Sequence, residues 1–234
     1  FGEYAGKIDS IETEVLDFEQ IGYNQETINF SNELINNDIL YSKQLYDAWD
    51  PSRTSAYELL YNASDLVYAP LIDTSNVTNM GYMFGYCSDL RVVPLFDTSK
   101  VTNMADMFHA CRELTSVPLF DTSKVTNMGY MFTECSGLTS IPLFNTSNVT
   151  TMRNMFYFCR ALTSVPLFNT SKVTNMGYML YNCHNLTSVP LFNTSLVTDM
   201  SYMFYGCENL TSVPEFDTSN VTNMNEMFKS CANL

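Results

Sequence analysis

Seven cysteines spaced 24 residues apart are the first residues in this sequence that could carry out chemistry. They are Cys87, Cys111, Cys135, Cys159, Cys183, Cys207 and Cys231. Zinc sites need ligands only a few residues apart, and the sequence has no CxxC pair. Side chains at equivalent positions of stacked repeats point in the same direction, which disfavours disulfides between them. Free cysteine is among the most buried residue types, so the spacing predicts a ladder of buried thiols.

A second ladder consists of acidic or amide side chains, each followed by Thr-Ser. Its members are Asp73, Asp97, Asp121, Asn145, Asn169, Asn193 and Asp217. Stacked carboxylates could bind calcium, but three of the seven residues are asparagine. An Asx turn uses Asp and Asn equally well, whereas a charge-dependent site does not. The pattern therefore favours a turn, and no metal site or cofactor is predicted.

The two histidines, His109 and His184, occupy different positions of the 24-residue period. They cannot pair with each other in a stacked array. We could assemble no Ser-His-Asp, Cys-His or paired-carboxylate arrangement around them. The sequence therefore predicts that the protein is not an enzyme.

The spacing of these residues reflects a tandem repeat, in which one copy reads LTSVPLFDTSKVTNMGYMFTECSG from Leu114 to Gly137. The segment Leu114–Asp121 predicts a short strand. Apolar residues at i, i+3, i+4 and i+7 within Met128–Cys135 predict a short helix, with Thr126 as its N-cap. A unit of this size cannot bury its own apolar face, so copies must stack and their strands must form a parallel sheet.

The predicted fold class is therefore an α/β repeat solenoid, an array like the leucine-rich repeats with short parallel strands and short helices. The solenoid spans residues 54–234 and begins with a degenerate copy at 54–70. Residues 1–53 form a capping or attachment region that is partly helical, with a helix predicted from Asn24 to Trp49. Because the sequence stops in mid-repeat, we expect the native array to continue or to be capped by further sequence.

The composition limits the classes of partner. The formal net charge is −14, with 11 basic and 25 acidic residues. A nucleic-acid surface or a polybasic membrane patch needs clustered Lys and Arg, so neither is expected. The sequence also lacks an apolar run of about 18 residues, so membrane insertion is not expected.

Two ladders on the surface are candidate contact sites for a partner. Tyr157, Tyr181 and Tyr205 share one repeat position, and Tyr178 and Tyr202 share a position three residues earlier. Such tyrosines could form a recognition surface, or their rings could lie across neighbouring copies and seal the solenoid. The second ladder contains Leu119, Leu143, Leu167 and Leu191, with Leu71 and Leu95 before them.

The leucine ladder ends at Glu215, which takes the same position one copy later. A buried, unpaired carboxylate is costly, so this position is expected to be exposed. Strand alternation then turns the neighbouring phenylalanine inward. The opposite arrangement, with leucine inward and phenylalanine outward, is the alternative.

The string VTNMGYMFxxCxxL, followed by proline and then FDTS or FNTS, resembles the BspA-type leucine-rich repeats of bacterial surface proteins. This resemblance covers residues 54–234 and implies a solenoid on the cell surface or outside the cell. It further implies adhesion or binding of a protein or glycan receptor, with no catalytic residues. The first residues, FGEYAGKIDSI, resemble a segment that precedes such repeats in phage and prophage tail proteins. That likeness implies the alternative of a virion protein, forming a homo-oligomer through its N-terminal region.

Overall fold

The computed structural model describes residues 49–234. The predicted helix from Asn24 to Trp49 and the segment FGEYAGKIDSI therefore lie outside the described residues, except for Trp49 itself. Within residues 49–234, no helix is long and apolar enough to cross a bilayer.

Successive copies stack in parallel through a column of single-residue bridges between equivalent positions. Each residue in the column bridges the one 24 residues further on: Ser55, Asn79, Asn103, Asn127, Thr151, Asn175, Asp199 and Asn223. Each copy therefore contacts the copies before and after it, and a single core runs through the array. The predicted solenoid is confirmed.

Backbone hydrogen bonds after each bridge run along the solenoid axis. The N–H of Met104 donates to the carbonyl of Asn127 at 3.1 Å, and two residues later Asp106 N donates to Gly129 O at 3.1 Å. The next residue, Met107, instead donates its N–H within the copy, to Met104 O three residues back, at 3.3 Å. Bonds within a turn thus alternate with bonds to the next copy.

The predicted helix over Met128–Cys135 is wrong, because these residues form consecutive turns. Tyr130 and Glu134 both have φ of 60°, in the left-handed region, where a right-handed helix is interrupted. An isolated helix of eight residues is marginal in water, whereas the turns leave alternate N–H groups for the next copy. Thr126 is not an N-cap, since its hydroxyl donates to Thr102 O in the preceding copy at 3.2 Å.

The predicted parallel sheet over Leu114–Asp121 is also wrong. Pro118 has no N–H to donate to a ladder, and the N–H of Phe120 donates back to the Pro118 carbonyl at 3.0 Å. This bond closes a tight turn where the strand was expected. Within residues 49–234, the only parallel bridge in this part of the repeat joins Tyr68 and Val92.

The core is a set of apolar columns that run the length of the array. Phe84, Phe108, Phe132 and Phe156 are fully buried, and their rings stack in register. Neighbouring centroids are 5.6 Å apart for Phe108 and Phe132. Stacking every copy on the next one buries large side chains that no single copy could enclose.

The N-terminal edge of the described array is closed by Trp49. This indole is buried, and its Nε1–H donates to Asp73 O at 2.8 Å. The guanidinium of Arg53 lies 5.7 Å from the centre of the Trp49 ring. Ser55 bridges to Asn79, so the bridge column already begins in this degenerate copy.

Candidate partner-binding surface

The cysteine ladder consists of free thiols, as predicted. Six of the seven are buried and Cys231 is half-buried. Each Sγ–H donates to the carbonyl 27 residues earlier; the Cys135 bond to Phe108 O is 2.9 Å long. Burial raises the pKa of Cys87 and Cys207 to about 12. The ladder is therefore a structural element, held protonated in the core.

The Asx ladder forms the predicted turns. The N–H of Ser123 donates to Asp121 Oδ1 at 2.9 Å, and that of Ser171 donates to Asn169 Oδ1 at 3.1 Å. The Ser99 hydroxyl and N–H together hold the pKa of Asp97 below its ordinary value. Over residues 49–234, no cluster of three or more His, Cys, Asp or Glu side chains could hold a metal ion.

Because either residue makes the same turn, we expect Asp121→Asn to change the free energy of unfolding by less than about 0.5 kcal/mol. Asp121→Ala removes the acceptor and should cost about 1 kcal/mol. Urea denaturation of both variants measures the difference. A rise in stability of the parent protein in millimolar calcium, lost in Asp121→Asn, would contradict the turn interpretation and support a metal site.

One acid–histidine contact was missed by the sequence analysis. His109 Nδ1 lies 2.9 Å from Asp106 Oδ1, and both side chains are largely buried. The imidazole stacks on Tyr86 with centroids 5.0 Å apart. Burial first, and then Asp106, raises the pKa of Tyr82. The i, i+3 spacing of Asp106 and His109 was the signal available in the sequence.

The leucine stripe, defined as Leu95, Leu119, Leu143, Leu167 and Leu191, lies on the surface. The last four leucines are 59–62% exposed. The neighbouring phenylalanines, such as Phe120 and Phe144, are 2% exposed. The inward position of phenylalanine and the outward position of leucine are confirmed. Whether the stripe contacts a partner stays a prediction.

The predicted tyrosines do come together, in what we call the tyrosine block: Tyr157, Tyr178, Tyr181, Tyr202 and Tyr205. In the first column, ring centroids are 4.8 Å apart for Tyr157 and Tyr181, and 4.7 Å apart for Tyr181 and Tyr205. In the second column, Tyr178 and Tyr202 are 4.6 Å apart. The rings are half-buried and lie across neighbouring copies, as the packing interpretation predicts. Their role in recognition stays a prediction.

Two arginines flank the tyrosine block. The guanidinium of Arg153 lies 5.1 Å from the centre of the Tyr178 ring, and its Nη1 is 3.4 Å from Asp199 Oδ2. Arg160 lies 5.1 Å from the centre of the Phe158 ring. Phe158 in turn meets Tyr157 edge-on at 4.6 Å. These contacts place the two guanidinium groups beside the aromatic rings. Neither arginine had been predicted as a site residue from the sequence.

Burial raises the pKa of Tyr157, Tyr178 and Tyr181 above the ordinary value of 10.0. Their hydroxyls, which are protonated donors at neutral pH even with the ordinary pKa, stay protonated to higher pH. The block can therefore offer hydrogen-bond donors, aromatic edges and a guanidinium to a partner on one rigid surface.

The family model described as "Mycoplasma protein of unknown function, DUF285" matches the chain four times, at residues 28–138, 54–166, 84–189 and 184–234. The chain belongs to this family. These overlapping matches reflect the 24-residue repeat of a DUF285 protein. A comparison with curated proteins found no match.

Solved structures similar to this DUF285 protein are bacterial leucine-rich repeat proteins. One from Eubacterium ventriosum has 21% identity and a TM-score of 0.51, covering 67% of this chain and 41% of that one. A leucine-rich repeat protein of T. pallidum has 21% identity and a TM-score of 0.48, covering 66% and 69%. A leucine rich cell surface protein of Faecalibacterium prausnitzii has 18% identity and a TM-score of 0.37, covering 76% and 74%.

The Eubacterium structure supports a leucine-rich repeat fold for this protein. The BspA-type resemblance is confirmed by the repeated DUF285 matches together with the leucine-rich repeat fold of the Eubacterium structure. The chain spans less than half the length of the Eubacterium protein. The alternative of a phage virion protein gains no support from these comparisons.

Proposed function

We propose that this protein is a non-catalytic scaffold of a bacterial surface that binds a protein or glycan partner through the tyrosine block. The observation that carries the proposal is the register of five tyrosines over three consecutive copies. Their ring stacking and the backbone ladder beneath them hold the surface rigid. A rigid surface loses little conformational entropy on binding, which favours affinity.

The charge distribution supports the same surface. Residues 135–198 contain Arg153, Arg160 and Lys172 but no Asp or Glu, although the chain carries 25 acidic residues. The cores of protein interfaces are depleted of Asp, Glu and Lys and enriched in Tyr and Arg. This acid-free window includes three of the five tyrosines. Part of the aromatic cluster therefore lies on a stretch of the chain that carries no carboxylate side chain of its own.

The leucine stripe offers a second contact strip. Its five side chains form a continuous apolar row in register. Exposed apolar patches of several hundred Å² usually mark interaction sites. Glu215 ends the row, so any contact along it is confined to the copies before that residue.

We expect Tyr181→Ala to weaken binding to a receptor at least tenfold, because this ring packs between two others at the centre of the block. The measurement is biolayer interferometry against a panel of extracellular-matrix proteins and a glycan array. Tyr61→Ala is the matched control, since Tyr61 is an exposed tyrosine of the first copy.

Unchanged binding by Tyr181→Ala would remove the tyrosine block from the proposal. Loss of binding in Leu143→Ser alone would assign recognition to the leucine stripe. Circular dichroism of each variant confirms that the solenoid is folded before binding is compared.

A further inference from the structure

We infer that the tyrosine block selects an acidic polypeptide segment as its partner. This inference rests on the proposed function and narrows it from a protein or glycan to one chemistry. Two features support an acidic partner: the exposed parts of the tyrosine rings, and the ion pairs formed by the charged side chains around them.

Both faces of the Tyr181 ring and one face of the Tyr178 ring are covered within the protein. Tyr181 lies between Tyr157 and Tyr205, with nearly parallel rings on both sides. Tyr178 has Tyr202 on one side and the Arg153 guanidinium within 5.1 Å on the other. A sugar that stacks on an aromatic face would have to displace one of these neighbours.

The block instead presents ring edges and hydroxyl groups. An aromatic ring carries partial positive charge at its edge and partial negative charge on its face. The phenolic O–H groups are hydrogen-bond donors as well as acceptors. A surface of ring edges and O–H donors fits carboxylate and carbonyl oxygens better than the C–H faces of a neutral sugar.

Three acidic groups around the block, Glu134, Asp199 and Glu226, are each paired with a cation. Glu134 lies 2.9 Å from Arg112, and Lys229 lies 3.0 Å from Glu226. Asp199 is held by Arg153, as described above. The negative charges of these three carboxylates at the rim of the block are therefore compensated within the protein.

Arg160 is the cation that remains available to a partner. Among residues 49–234, no carboxylate oxygen lies within 4.0 Å of its guanidinium, which rests against Phe158. His184 occupies the same repeat position one copy later, and Glu208 follows only in the copy after that. A guanidinium recognises a carboxylate with two parallel hydrogen bonds.

The net charge of −14 opposes an acidic partner at long range but not at the site. At physiological ionic strength the Debye length is about 8 Å, so distant carboxylates are largely screened while contacts at the block are not. At physiological ionic strength, contacts at the tyrosine block therefore determine binding more than the net charge of the chain does.

The test is fluorescence anisotropy of a fluorescein-labelled 16-residue Glu/Gly peptide with the full chain at physiological salt. We expect saturable binding that Arg160→Gln weakens at least fivefold and Tyr181→Phe weakens at least threefold. Lys172→Gln is the matched control, because it removes a charge from the same acid-free window. Its Nζ contacts Asn148 Oδ1 at 2.6 Å, away from the block. This variant should bind within twofold of the parent protein.

Equal losses in Arg160→Gln and Lys172→Gln would overturn the inference, since only net charge would matter. Absence of peptide binding would overturn it as well. If heparin or a neutral N-acetylglucosamine tetramer binds instead, and Tyr181→Ala abolishes that binding, the proposed function stands while the acidic polypeptide is excluded. If Tyr181→Ala fails to weaken any receptor in the panel described above, the proposed function itself fails.

Discussion

Phe156→Ala is expected to lower the free energy of unfolding by roughly 3–5 kcal/mol, the usual cost of deleting a core aromatic side chain. Phe156 is fully buried and stacks on Phe132 at 5.8 Å and Phe168 at 6.3 Å. The cavity would open inside a column that continues into both neighbouring copies. Urea denaturation followed by circular dichroism measures the loss.

Two matched variants test the reason for this loss. Leu180 already occupies the equivalent position one copy later, so Phe156→Leu should cost only about 1 kcal/mol. Leu167 is 61% exposed, and Leu167→Ala should stay within about 0.5 kcal/mol of the parent protein. Equal losses in Phe156→Ala and Leu167→Ala would contradict the inward and outward assignment.

The repeat could be predicted from the sequence because the same residue types recur at intervals of 24 residues. Stacking then follows, since a short unit cannot enclose Met128, Met131 and Phe132 by itself. The single Glu215 in the leucine column was enough to place phenylalanine inside. These predictions depended only on which side chains are apolar and must be buried. The sequence shows this directly.

The local backbone could not be predicted, because the apolar spacing of Met128–Cys135 fits a helix and a series of four-residue turns alike. The deciding feature is the positive φ of Tyr130 and Glu134, which these two residue types do not signal. The hint lay in other copies, where Asn154 and Gly206 take the same two positions. Asn127 forms an Asx turn at the start of this segment, because its Oδ1 accepts the N–H of Gly129 at 2.9 Å. The hydroxyl of Thr126, which resembled a cap, instead extends the ladder between copies.

The candidate site was only partly predictable for a related reason. A shared repeat position brings Tyr157, Tyr181 and Tyr205 together whatever the backbone does, so the column was visible in the sequence. The contact of Arg153 with Asp199 spans about two copies and depends on how the side chains cross the surface. The contact of His109 with Asp106, by contrast, was predictable, because residues three apart are neighbours in a helix as well as in a turn.

Raising the pH from 9 to 10 is expected to remove roughly 6 kcal/mol of stability, about 1 kcal/mol for each of the six buried thiols. The ordinary pKa of cysteine is 9.0, and burial raises that of Cys87 to about 12. Below about pH 8 the thiols are protonated in both states and contribute almost no pH dependence. Above pH 9 the unfolded chain releases these protons while the folded chain keeps them, so rising pH favours unfolding.

The double variant Cys135→Ala/Cys159→Ala isolates the contribution of the thiols. Alanine is accommodated in this column, because Ala63 takes the equivalent position in the first copy. Both variant and parent are unfolded in urea between pH 8 and pH 10, and the slopes of stability against pH are compared. The variant should lose about one third less stability over this interval, since two of six thiols are gone. Parallel slopes would mean that the buried thiols do not govern the alkaline transition. The tyrosines would then be the next group to test, because their ordinary pKa of 10.0 places their ionisation above that of the thiols.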